Sequence, residues 1–341
     1  MKIKILLTFD YELPLGELRT DYAQALFNPT DELLNLTEQE NVPITLFADI
    51  LSAYKFKQWD YNDFYLPYVE QIENAIKQNH DVQLHVHPHW LTSSFENGKV
   101  VCSTDFSLSD FANNSEYGIS EIITLSHKLL SQITQQADTN HKIIAYRAGG
   151  YNIEPASDLI FKSLIENGIK YDSSIAPGYY FASQISTVDF RKYPKSQTWL
   201  IDESGNFRVN NQSGIREIPI ATIPKKLFEV PTALKLKFSK QKGSVHGTMI
   251  HQNYSPTLGE KIKMKLANRM LTFDNYTYSD NYNLKILEYQ IRKYGKNSEI
   301  IISSCSHPKS MNERSFYLMK KFISQIREKY SEAEFTTFKD L

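Results

Sequence analysis

Cysteine is nearly missing from this chain: Cys102 and Cys305 are the only two in 341 residues. Two thiols do not make a disulfide-stapled secreted fold, and such scarcity suits a reducing compartment. Long apolar runs are missing too. No stretch approaches the ~20 apolar residues that a membrane-spanning helix needs. The N-terminal run M-K-I-K-I-L-L-T-F-D stops at Leu7 and meets Asp10 three residues later, too short for a signal-peptide core. A cytoplasmic location is therefore the default expectation. Excess charge of either sign is also lacking. The formal net charge is −1 with Lys and Arg spread along the chain, which gives no electrostatic reason to expect nucleic acid or a membrane surface. No internal repeat recurs at a fixed period.

What is present is ordinary globular material, since 41% hydrophobic residues suffice for a sizeable core. The 21 Tyr and 19 Phe would suit a carbohydrate rim as well as a core. Strands and helices alternate. Ile3 to Phe9, Pro43 to Phe47, Asp81 to His85, Lys142 to Tyr146, Ile169 to Asp172, Ile215 to Ile220 and Glu299 to Ser303 read as strands. Helices are expected from Thr30, over Pro67 to Lys77, from Ser120 with a stripe of Ile122, Leu125, Leu129 and Ile133, over Pro155 to Asn167, over Asn283 to Lys293 and over Arg314 to Lys329. Residues 91–118 read as a long loop. The whole of 1–341 is expected to be one α/β domain with an irregular insertion at about 175–295. A second T-F-D, at Thr272 to Asp274, follows no apolar strand and reads as coincidence.

Ionisable residues gather at the strand ends. Three of nine histidines alternate in Q-L-H-V-H-P-H-W, Gln83 to Trp90. Alternate strand residues share a face, so His85, His87 and His89 could converge, although Pro88 ends the ladder. The other ends read Asp10 and Glu12, Arg147, Asp172 and His307. Parallel α/β folds keep their chemistry at the carboxyl ends of their strands. A carboxylate with two histidines is a usual ligand set for a hydrolytic divalent ion, best matched by zinc, and leaves other groups for general base and general acid.

Five segments, L-T-F-D-Y-E at Leu7 to Glu12, L-H-V-H-P-H-W at Leu84 to Trp90, Y-R-A-G-G-Y at Tyr146 to Tyr151, Y-D-S-S at Tyr171 to Ser174 and S-H-P-K at Ser306 to Lys309, resemble the ordered motifs of the polysaccharide deacetylase (NodB-homology, carbohydrate esterase 4-like) family. The pattern looks closest to its bacterial surface-polysaccharide branch. The resemblance implies an irregular (β/α)7 TIM-like barrel. It also implies a divalent metal, usually zinc, that serves to remove acetyl groups from acetamido sugars in lipopolysaccharide or capsule synthesis. It makes Asp10 the general base, Arg147 the group that orients it and His307 the general acid, with Asp172 grouped beside them. In the commonest family pattern an Asp follows the base and binds the metal. Tyr11 stands there in this chain, so Glu12 becomes the expected ligand. His85 and His89 keep the family's four-residue spacing and are the expected histidine ligands. His87, which keeps the following proline, is the alternative. Tyr151, Trp90, Tyr179 and Tyr180 are candidates for stacking on the carbohydrate substrate. Two other readings stay open: hydrolysis of another non-peptide C–N bond, or a silent barrel that binds glycan or scaffolds polysaccharide assembly.

Overall fold

The computed structural model describes residues 1–16, 18, 20–114, 116–183, 186–207, 213–225, 254–275 and 280–341. Its first strand path, β1 (Lys2–Leu6) continued by β2 (Thr8–Tyr11), pairs in parallel with β3 (Thr45–Asp49). The parallel order runs on through β4 (Asp81–Val86), β5 (Ala145–Ala148), β6 (Tyr171–Asp172) and β7 (Ile215–Glu217). Beyond β7, the parallel bridge Ile220↔Ser303 reaches β8 (Glu299–Ser303), and β8 pairs in parallel with β1. Ala221 N–H donates to Ser303 O at 2.8 Å, and a further bridge joins Phe9 to Ser306. Among the described residues, seven parallel strand paths thus follow one another in a ring, the arrangement of a (β/α)7 barrel, and the C-terminal strand Ala333–Thr336 adds in parallel to β1 on the side away from β8.

Two apolar layers follow from the period-2 alternation of strands buried on both faces. Inside the ring, Leu6, Phe47, Ala145 and Ile218 pack around Phe338 from the C-terminal segment and close one end. Outside, the strands pack on α1 (Asn28–Gln39), α2 (Ile50–Trp59), α3 (Leu66–Lys77), α4 (Ile119–Ala137) and α5 (Ser157–Glu166). Later helices are α6 (Leu258–Leu266), α7 (Tyr282–Tyr294) and α8 (Glu313–Lys329).

Local sequence explains some helix ends. Asn312 Oδ1 accepts from Arg314 N and Ser315 N and so starts α8 where the capping rule places it. Gly168, at φ +78°, follows α5 where a left-handed residue ends a helix. Thr30 is different: its hydroxyl bonds back to Leu26 O at 2.7 Å, and a wide turn at Ala23–Phe27 carries α1 back to Asn28. The expected stripe of α4 has the right period but is turned by about one residue. Ile122, Ile123, Ser126, Leu130 and Ile133 are buried, while Leu125 and Leu129 are half-buried. Residues 91–118 are not one long loop, because they include a hairpin of Ser94–Glu96 with Lys99–Val101 and a short 3-10 turn at Leu108–Phe111. Within the insertion, 226–253 and 276–279 lie outside the described residues.

Candidate active site

Alternation on β2 sends Asp10 and Glu12 to the inside of the ring and Tyr11 outward. The Tyr11 ring packs 5.1 Å from that of Tyr68 on α3. Tyr11 is therefore not aimed at the site, and the carboxylate two residues after Asp10 shares its face. The same alternation continues past the end of β4. His85 sits in the strand and His87 follows one residue beyond it, with both rings on the inner face. Their centroids lie 4.8 Å apart.

Ligand atoms of Glu12, His85 and His87 lie within 4.8 Å of one another. Glu12 Oε2 touches His87 Nε2 and stands 3.6 Å from His85 Nε2. All three atoms are buried without a hydrogen-bond partner among the described residues. Leaving them bare costs several kcal/mol, roughly 1–3 for each atom, and a cation between them would satisfy all three. His85 Nδ1 faces Arg147 O at 2.8 Å, and a carbonyl only accepts. The proton therefore sits on Nδ1 and leaves Nε2 as the ring atom that faces Glu12. Lys309 Nζ holds the other Glu12 oxygen, Oε1, at 2.9 Å. Burial opposes ionisation of Glu12, but Lys309 and the imidazoles outweigh it and hold the carboxyl well below its usual range. Two neutral-capable imidazoles and one carboxylate, with positions left over, fit a divalent ion such as zinc.

Beside them lies an acid–base pair. Arg147 Nη1 donates to Asp10 Oδ1 at 2.7 Å, its Nε to Ser173 O at 2.8 Å and its Nη2 to Ser173 Oγ at 3.0 Å. Its guanidinium also stacks 4.2 Å over Phe47. Burial raises the Asp10 pKa, but Arg147, His85 and His307 together bring it below the ordinary value. The second oxygen, Oδ2, faces His307 Nε2 at 3.6 Å and receives the Cys305 thiol at 3.6 Å. His307 Nδ1 is 2.9 Å from Asp274 Oδ2, and the His307 backbone N–H donates to Asp274 Oδ1 at 2.7 Å. Burial disfavours the imidazolium, but Asp274, then Asp10 and Glu12, raise its pKa to about 9.

Several expected site residues sit elsewhere. Pro88, at φ −66° and ψ −20°, opens a single helical turn, His89–Thr92, which carries His89 away from Glu12. The His89 ring stacks 4.5 Å from Phe106, and burial, then His87, holds its pKa well below the ordinary value. The expected pair His85 and His89 is thus replaced at Glu12 by His85 and His87. Trp90 is core, not rim: it is buried, its indole N–H donates to Asp49 Oδ2 at 2.6 Å, and it packs on Phe56. Asp172 lies in the wall of the ring, accepting from Ser174 Oγ at 2.6 Å beside Glu217. Burial raises the pKa of both acids. Asp172 shapes the Ser173–Ser174 turn that grips Arg147 and does not reach the cavity. That cavity, of about 280 Å³, is bordered by His87, His307 and Lys309 with Tyr151, Tyr179 and Phe181. Tyr180 belongs to a neighbouring one, its ring between Arg191 and Lys263.

Three further residues belong to the site. Asp274 comes from the second T-F-D, held in register because Phe273 N–H donates to Ser306 Oγ at 2.8 Å. The repeated tripeptide was the signal. Lys309 stood inside the quoted S-H-P-K segment. Gly149 is the third: a Cβ there would meet Val86 O at 2.5 Å and His87 Nδ1 at 2.7 Å, so only glycine lets β5 end against this imidazole.

No family model and no curated protein matches this sequence. Solved structures resemble it. A Mycobacterium smegmatis protein classed as a polysaccharide deacetylase is 14% identical with a TM-score of 0.48, covering 99% of this chain and 88% of its own. An allantoinase is 11% identical with a TM-score of 0.48, over 99% of this chain and 88% of its own. A Bacillus cereus polysaccharide deacetylase is 14% identical with a TM-score of 0.41, over 99% and 92%. At such identities the likeness concerns the course of the chain and assigns no chemistry.

Proposed function

We propose that the chain is a metal-dependent N-deacetylase of an acetamido sugar or polysaccharide, acting in bacterial surface-polysaccharide synthesis in the cytoplasm, where Cys102 and Cys305 stay free thiols. One observation carries this reading: three buried, unsatisfied donor atoms of Glu12, His85 and His87 converge beside an Arg-held carboxylate and a carboxylate-backed imidazolium. Glu12, His85 and His87 would hold the ion. A divalent cation bound there supplies Lewis-acid polarisation of an amide carbonyl and a lowered pKa for water.

The chain's own residues do the rest. Asp10, fixed through Oδ1 by Arg147, offers Oδ2 as the base that takes the proton of the attacking water. His307 presents Nε2–H toward the same point, 3.6 Å from Asp10 Oδ2, and gives its proton to the amine as the C–N bond breaks. Asp274 keeps that ring oriented and charged through neutral pH. Tyr151 and Tyr179, at 75° to each other, offer ring faces to a sugar. The silent-barrel reading leaned on Tyr11 at a ligand position. With that ring packed on Tyr68 and Glu12 turned inward, the substitution removes no ligand from the cluster.

The test is acetate release from N-acetylated glycans and lipid-linked sugars by chelated protein, before and after zinc is restored. Acetate released only with metal supports the proposal. Metal-dependent hydrolysis of non-sugar amides alone would favour another C–N hydrolase, and no hydrolysis in any arm would favour the binding barrel.

A further inference from the structure

Helix α6, Leu258–Leu266, buries none of its residues. Its start is fixed by a capping box in which Thr257 Oγ1 accepts from Glu260 N while Glu260 reaches back to Thr257 N. At about 100° per residue, Leu258, Ile262 and Leu266 fall within one arc of roughly 80°. They are 75%, 49% and 72% exposed. Lys261 and Lys265, both exposed, border that stripe on one flank. The opposite face is anchored. Lys263 Nζ lies 5.3 Å over the Tyr180 ring, and Met264 packs with Tyr180, Ala182 and Ala267.

Charge clusters in the stretch of sequence that includes this helix. Residues 225–266 hold nine lysines against two glutamates, a net +7 in a chain whose total is −1, so the remainder carries −8. An apolar stripe of three large side chains bordered by lysines is the signature of a helix that lies in a membrane interface, and clustered lysine selects anionic headgroups.

We infer that the outer face of α6 docks on the surface of an anionic phospholipid membrane, with Leu258, Ile262 and Leu266 in the acyl boundary and Lys261 and Lys265 among the headgroups. The geometry gives docking a consequence. Tyr180, on which α6 rests, is flanked by Tyr179 and Phe181, and both of these border the cavity that holds His87 and His307. A docked α6 sets the mouth of that cavity beside the headgroup layer.

The test uses the full chain and has no activity readout, so it stands or falls apart from the hydrolytic reading. Vesicles of phosphatidylcholine alone, or with roughly 30 mol% phosphatidylglycerol, are sedimented with protein at low and high salt. Binding should need the anionic lipid, weaken with salt, and drop about tenfold or more in the Leu258→Ser/Ile262→Ser/Leu266→Ser variant. Lys261→Gln/Lys265→Gln should weaken it as well. These positions are exposed, so thermal midpoints should stay at the wild-type value. Wild-type protein that ignores anionic vesicles, or a triple-serine variant that binds as well as wild type, would overturn the inference. So would a wild-type dimer that the triple variant dissociates, because the stripe would then belong to a second copy of the chain.

Discussion

Asp274→Asn isolates the electrostatic support of His307. The ordinary histidine pKa of about 6.5 is raised here to about 9, so the site favours the charged ring by roughly 3 kcal/mol relative to water. Burial works against that charge and Asp274 is the largest contribution in its favour. Asparagine keeps the shape and one acceptor but removes the carboxylate. The ring should then titrate near or below its ordinary value, and its charged fraction at pH 7.5 should fall from nearly complete to roughly a tenth or less. Two measurements follow: the NMR titration of His307 in chelated protein, and kcat/KM against pH in zinc-loaded enzyme. The alkaline limb should move to lower pH in the variant. Stability must move with it. A raised pKa gives stability present below pH 6.5 and lost as pH rises through about 9, and the variant should flatten that loss. A His307 midpoint that stays near 9 in Asp274→Asn would refute the assignment.

Other perturbations separate the roles. His307→Ala should slow turnover by about 10² or more while leaving metal content unchanged, because His307 acts on the leaving group. Gly149→Ala forces a methyl against Val86 O and His87 Nδ1; it should cost about 1–3 kcal/mol in urea unfolding and weaken zinc affinity about tenfold. His80 is buried on β4's entry, its Nδ1 accepting from Ile44 N at 3.3 Å, and burial, then Lys339, lowers its pKa to about 4. The unfolded chain takes up this proton near 6.5 and the native one only near 4. Stability should fall by about 2 kcal/mol from pH 7 to pH 5, and His80→Asn should lose that part of the slope.

The strand pattern was legible because each barrel strand is a short, doubly covered apolar run ending in an ionisable residue. Asp10, Glu12, His85, Arg147 and His307 all stand on the inner face at such ends. The choice between His87 and His89 was not legible from spacing. It depends on whether Pro88 prolongs the strand or opens a helical turn, and its αR backbone opens the turn. Asp274 was discounted for want of a preceding apolar strand. The residues leading to it are held instead by the β8 path, where Cys305 N–H donates to Leu271 O and Ser306 Oγ accepts from Phe273 N, tertiary contacts with no apolar run to mark them. Trp90 looked like a rim aromatic, but Asp49 satisfies its indole N–H, which lets the ring enter the core.

Zinc stoichiometry across single variants tests the central claim most directly. Purified wild-type protein should bind one ion per chain at the Glu12, His85 and His87 site. Glu12→Gln, His85→Ala and His87→Ala should each lose it, and His89→Leu should keep it. A wild-type chain that takes up no zinc, or an ion that survives His87→Ala but not His89→Leu, would contradict the account.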